Sequence, residues 1–224
     1  MKLFREVVAV AAKDVRIEAR SRYALGAVLP FAATVLIAFG LSIGPGRTLL
    51  QETAPGLLWL AVLFASILSF RRSYEAEGED GALEGLLLAP VDKAAVFLGK
   101  AAAVAGQLLV LEVVVVLLVS ALFGLSLGSE PAVLAGAFVL GTIGLAGVGS
   151  LFGVLTESAR AREAVFPLLV LPLATPVLVA AVRATALATG SPGGGGGSWL
   201  GLLLAFDVVF LSTGTLVYGY LLED

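Results

Sequence analysis

The sequence predicts an all-α polytopic membrane protein with six spanning helices, and three observations carry that prediction. Of 224 residues, 59% are hydrophobic and only 14% charged, with a mean hydropathy of +1.03; soluble domains run about 45–50% apolar and about 25% charged, so this excess belongs in lipid. Six apolar stretches, 24–43, 54–70, 101–123, 131–155, 164–188 and 199–221, approach or exceed the length of about 20 residues that crosses a hydrocarbon core of about 30 Å. The cations are also sorted. Lys2, Arg5, Lys13, Arg16, Arg20, Arg22, Arg71, Arg72, Lys93, Lys100, Arg160 and Arg162 fall on one side of that arrangement, and only Arg47 and Arg183 on the other. Lys and Arg collect on the cytoplasmic face, so both termini are expected there.

Composition also excludes. A β-barrel needs alternating polar and apolar residues, and Leu108–Val119 is interrupted only by Glu112. Zero Cys and zero His remove disulfides, thiol nucleophiles, Cys/His zinc sites and a His ligand to haem iron. A net charge of −3 offers no basic surface for nucleic acid. Six spans leave no room for a soluble catalytic domain, and residues 1–224 are expected to form a single transmembrane domain.

Residues 1–22 read as an amphipathic helix lying on the cytoplasmic face. Phe4, Val7, Val8, Ala11 and Val15 recur at helical spacing while Lys2, Arg5, Lys13, Arg16 and Arg20 fall elsewhere on the wheel. Such a helix lies at the lipid interface, its cations drawn to anionic headgroups, and is also placed to touch a cytoplasmic partner. The charged segment is too long and mixed for the start of a signal peptide, so the span that follows is expected to be retained. A short outward loop at Ile43–Thr53 leads to the second span, whose Trp59 is expected to pack between helices.

The loop 71–93 is the most charged connection. Glu75, Glu77, Glu79 and Asp80 precede Leu83, Leu86, Leu87 and Leu88, with Gly81 and Glu84 among them and Pro90 closing the segment. Asp80 suits an N-cap, and a helix after it places Leu83, Leu86 and Leu87 on one face. So many carboxylates are unfavourable beside an anionic leaflet; a protein cleft suits them better.

Inside the spans, Glu112 lies mid-way along the third and Asp207 about a third of the way into the sixth. Charges in lipid cost about 2.5–3.5 kcal/mol on insertion scales. Glu112 therefore reads either as glue between helices or as part of a conformational cycle or substrate path, and Asp207 in the same two ways. Arg183, near the outer end of the fifth span, either snorkels to the interface or pairs with Asp207. Gly136, Gly141, Gly144, Gly147, Gly149 and Gly153 stripe the fourth span, which suits tight helix packing and would equally suit a seam between two copies. Pro167, Pro172 and Pro176 predict an interrupted fifth helix, either a static bend or a break beside a moving region. Residues 190–198 hold five consecutive glycines, Gly193–Gly197, and are expected to form a flexible outer loop. Trp199 is expected to anchor the sixth span at the interface.

Ala54–Ala61, Leu68–Arg72 and Glu79–Pro90, with Leu169–Val-Leu-Pro-Leu-Ala-Thr-Pro-Val-Leu178, resemble the haem exporter protein B family of the cytochrome c maturation system, within the type-2 ABC exporter permeases. The resemblance covers nearly the whole chain; the glycine run departs from it. It implies that 80–89 is a coupling helix docking on a separate cytoplasmic ABC ATPase through Glu79, Asp80, Gly81, Leu83, Glu84, Leu86, Leu87 and Pro90. It further implies a haem-handling membrane partner and a periplasmic haem chaperone. Haem would then be a substrate of the complex, with no cofactor bound stably by this chain. The chain lacks the Gly-x-x-x-x-Gly-Lys-Ser/Thr loop that cradles nucleotide phosphates, which places ATP hydrolysis in a partner. The alternatives are a permease of another type-2 exporter, a non-transporting scaffold for a haem-chaperone complex, and an intramembrane enzyme using Glu112 with Asp207.

Overall fold

The computed structural model describes residues 2–21, 24–79, 91–125, 130–155, 162–190 and 195–221. Helix α1 (Lys2–Ser21) is followed by a π-helical turn (Ala24–Val28) that runs into α2 (Leu29–Ile43). Then come α3 (Arg47–Glu79), α4 (Lys93–Phe123), α5 (Pro131–Leu155), α6 (Arg162–Ala188) and α7 (Gly196–Leu221). No strand occurs among the described residues. Six helices are long and apolar enough to cross a membrane, over Gly26–Ile43, Arg47–Phe70, Lys93–Phe123, Pro131–Phe152, Pro167–Ala188 and Gly196–Gly219. The chain is a multi-pass membrane protein. Its long helices alternate in direction, and the end that carries α1 is called the near end below.

Boundaries move where the chain has local reasons to start or stop. Expected to be a loop, residues 47–53 are helical, so the α2–α3 connection shrinks to 44–46, where Gly44 turns at φ 84°. At the near end α3 continues through 71–79, well into the expected cytoplasmic loop. α4 starts at Lys93, eight residues before the predicted span, because Asp92 accepts the Ala94 N–H at 2.9 Å and satisfies a free amide of the first turn. Gly124, at φ 67°, closes α4 in the left-handed conformation. Gln51 of α3 donates to its carbonyl at 2.9 Å.

α5 is the hub, packing against α3, α4, α6 and α7. Its glycines make that crowding feasible. A Cβ at Gly141 would overlap the Trp59 ring of α3, one at Gly149 would overlap Phe70 of α3, and one at Gly136 would meet Leu200 of α7 at 3.0 Å. Gly147 lies against Phe210 and Leu211 of α7. Large rings from the neighbours thus fill the space that side chains on α5 would occupy. The stripe read from sequence is used within the chain at these positions, which accounts for it without a second copy. Trp59 packs between helices as expected: it is fully buried, stacks on Phe138 at 5.8 Å and donates its indole N–H to Thr185 Oγ of α6 at 2.9 Å.

The outward surface is hydrocarbon. Leu41, Val110, Val113, Leu117, Leu204, Val208 and Leu216 are all exposed, and α2 and α7 lie at the periphery with little of their length covered. α1 divides into three faces rather than the two expected. Val7, Val10 and Ala11 turn toward α4, where Val10 is buried. A Cβ at Gly99 would come within 2.6 Å of the Val10 side chain and 3.0 Å of the Val7 carbonyl. Phe4, Val8 and Val15 stay exposed as an apolar strip, beside the exposed Lys2, Arg5, Arg16 and Arg20. Glu6 bonds Lys2 at 3.6 Å and accepts the Asp92 N–H at 3.3 Å, tying α1 to the first turn of α4.

Adding bulk on α5 is therefore predicted to cost stability selectively. Gly149→Val, which drives a side chain into Phe70, should lower stability by about 1–3 kcal/mol, the usual cost of overpacking. Gly56→Ala, with nothing within 4 Å, should leave it unchanged or raise it slightly. Thermal unfolding in detergent reads both.

Candidate functional site: a polar level in the helix bundle

Three polar side chains share one level. Glu112 stands 11 residues before Phe123, Thr142 11 residues after Pro131 and Asp207 11 residues after Gly196, which at 1.5 Å per residue is about 16 Å from the far ends of their helices. The residues one turn away on each helix are apolar, and all three side chains are buried.

Glu112 is 2% exposed. Its Oε1 accepts the Thr142 hydroxyl at 2.5 Å, joining α4 to α5, and its Oε2 has no partner among the described residues. Asp207 is 3% exposed, and neither of its oxygens has a partner among the described residues. Gly144 makes its seat: a Cβ there would stand 2.9 Å from Asp207 Oδ1 and 2.9 Å from Val177 of α6. Glu112 thus reads directly as interhelical glue, with acceptor capacity left over. For Asp207 the structure supplies a fitted seat and no bond.

The two acids do not converge. Thr142 and Gly144 are two residues apart, about 200° around the α5 axis, so Glu112 and Asp207 lie on opposite flanks of that helix. An enzyme using the pair would need both on one reacting atom, and the intervening helix prevents it. The expected pair between Arg183 and Asp207 does not form either. Arg183 is exposed only five residues from the end of α6, whereas Asp207 points inward from a deeper turn; among the described residues no ion pair joins them. No group of three acidic residues able to hold a metal is present among the described residues.

α6 corrects another expectation. It is one helix from Arg162 to Ala188 with Pro167, Pro172 and Pro176 inside it, not an interrupted one. Tight packing of Val170, Ala174, Val177 and Ala181 against the bundle holds the helical path although three amide donors are missing.

Sequence reasoning missed several polar partners. Gln107 of α4 donates to Ser69 of α3 at 3.3 Å, below the Glu112 level. Thr142 carries no local signal, since Thr in a span commonly bonds its own helix; only the facing Glu112 gives it a task. Lys100 looked like a loop cation, yet it is 1% exposed within α4. Of the expected coupling residues, Glu79 is the last residue of α3, while Asp80, Gly81, Leu83, Glu84, Leu86, Leu87 and Pro90 lie outside the described residues.

The Glu112–Thr142 bond is open to a double-mutant cycle. Glu112→Leu and Thr142→Val should each destabilise the bundle, and the pair should show a coupling of about 0.6–2 kcal/mol, the range of hydrogen bonds between membrane helices. Glu112→Gln should keep most of it, since an amide oxygen still accepts the Thr142 hydroxyl.

Comparison with known proteins matches this architecture. The model of the CcmB protein family matches residues 5–223. The chain is 35% identical to heme exporter protein B of Pseudomonas aeruginosa over 201 residues, 87% of each chain. It is 33% identical to heme exporter protein B of Rhodobacter capsulatus over 177 residues, 76% of this chain and 78% of the relative. The protein of the same name from Paracoccus denitrificans is 32% identical over the same shares. With a family match that begins inside α1 and ends beyond α7, the chain belongs to the CcmB protein family.

Proposed function

We propose that this protein is the membrane permease subunit of an ABC transporter complex serving haem export and haem handling in c-type cytochrome biogenesis. The observation that carries the reading is the family match over residues 5–223, together with relatives named for haem export. In this reading residues 1–224 are one permease domain in the bacterial inner membrane with both termini in the cytoplasm. A separate ATPase hydrolyses ATP, since this sequence has no phosphate-binding loop of its own. The near end of the bundle faces that ATPase.

Segment 80–89 is the docking element. Its carboxylates and the Leu83, Leu86 and Leu87 face suit a cleft better than an anionic leaflet. The geometry of the described helices supports the placement: α3 extends to Glu79 and α4 begins at Lys93, so the segment joins two long helices that both contact α5. Movement at the segment is delivered straight to the α4–α5 contact at Glu112 and Thr142. The haem-handling membrane protein and the periplasmic chaperone complete the assembly, and haem is substrate of the complex, not a resident cofactor.

Substitution of Leu83, Leu86 or Leu87 by Asp should cut co-purification of the ATPase at least about tenfold, the effect of losing roughly 1.4 kcal/mol of binding, while membrane insertion of the chain is unchanged. Normal recovery of the ATPase with all three variants would contradict the proposal. Glu112→Gln should leave the ATPase bound, and haem-stimulated turnover should report whether this carboxyl serves the cycle as well as packing.

A further inference from the structure

The charges of α1 are sorted by sign around its axis. At about 100° per residue, Lys2, Arg5, Arg16 and Arg20 fall within an arc of about 60°, and all four are exposed. Glu6, Asp14 and Glu18 lie outside that arc, on the flank that turns Val7 and Val10 toward Gly99 of α4, and all three are half-buried. Two of these acids have cations beside them: Glu6 pairs with Lys2 at 3.6 Å while accepting the Asp92 N–H at 3.3 Å, and Asp14 pairs with Lys13 at 3.2 Å. Arg5, Arg16 and Arg20 form no ion pair among the described residues. They make a single-sign line, about 22 Å from Arg5 to Arg20, on the side of α1 turned away from α4.

That line runs beside the exposed strip of Phe4, Val8 and Val15. With the strip in hydrocarbon, the guanidinium groups stand at headgroup height, where their long stems reach phosphate without leaving the interface. Guanidinium meets phosphate through paired hydrogen bonds, and an anionic surface attracts each cation close to it. An acidic protein fits less well. It would approach α1 from the face opposite the strip, where Glu6, Lys13 and Ile17 stand; that face is mixed in sign, and both of its charges are already paired.

We infer that the arginine edge of α1 binds anionic phospholipid headgroups of the leaflet at the near end, and that lipid held there keeps α1 seated on α4. The second part follows from the first by linkage. Gly99 receives Val10 in one rotation of α1, that rotation presents the edge to lipid, and a ligand that binds one arrangement stabilises it. The inference asks only for a bilayer, so it stands or falls apart from the ATPase reading.

The full chain in liposomes tests it, with spin-labelled phosphatidylglycerol and phosphatidylcholine as probes. The expected result is preferential association of phosphatidylglycerol. That preference should fall at least about threefold in Arg5→Gln/Arg16→Gln/Arg20→Gln. It should be largely retained when the same three residues become Lys, and in Arg47→Gln/Arg183→Gln, which removes cations from the far end. Because the chain has no cysteine, Val10→Cys reports the seat. Its labelling by maleimide should be at least about threefold slower in phosphatidylglycerol than in phosphatidylcholine liposomes, and equally fast in both once the three arginines are Gln. Equal association of the two lipids, a preference unchanged by the Gln substitutions or abolished by the far-end pair, or labelling independent of lipid composition overturns the inference. Loss of a bound ATPase from the Gln variant with lipid preference intact assigns the edge to a protein and overturns it too.

Discussion

Close approach of helices to α5 is the constraint on which the rest of the structure depends. In lipid, apolar side chains gain little by leaving the surroundings for a protein interior, so helices associate through contact and a few interhelical hydrogen bonds. α5 supplies the contact by giving up side chains at Gly136, Gly141, Gly144 and Gly149, and its neighbours supply Leu200, Trp59, Val177 and Phe70 in return. The polar level follows from the same arrangement. Only a helix surrounded on several sides can offer Thr142 to Glu112 on one flank and a side-chain-free seat to Asp207 on the other.

The near end works by the same logic with charge added. α1 is seated on Gly99, and its Glu6 accepts the amide of the residue that caps α4. Half-buried Glu6 and Asp14 sit toward α4 or beside lysines, whereas Arg5, Arg16 and Arg20 face outward. The helix therefore shows an outer surface of cations beside an apolar strip, the form that suits a membrane interface. It is joined to the start of α4, so α1 and the first turn of α4 belong to one connected unit at the near end.

Much of the architecture was legible because a spanning helix writes its length and apolarity into consecutive residues. The six spans and the depth of Trp59 came from that signal, and α1 from the spacing of its apolar residues. What escaped depends on partners distant in sequence. Nothing local says that Val7 and Val10 of α1 seek Gly99 while Phe4 and Val8 do not, or that Lys100 is interior. Helix ends escaped for a related reason: 47–53 and 93–100 mix polar residues into helices, and at Lys93 the Asp92 cap, not hydropathy, sets the limit. The prolines of α6 misled because proline's local penalty was weighed without the packing of Val170, Ala174 and Val177 that holds the path. Pairing Arg183 with Asp207 failed on direction, since similar depth says nothing about which way each side chain points.

The central claim is that the segment after α3 is held on the inner side by an ATP-hydrolysing partner. A single cysteine at Ala82, in a chain that otherwise has none, tests it through labelling with a membrane-impermeant maleimide. The account predicts no labelling in intact cells, labelling once the inner face is opened, and protection from it when the ATPase subunit is bound. Labelling from the outside, or equal labelling with and without the ATPase, would contradict it.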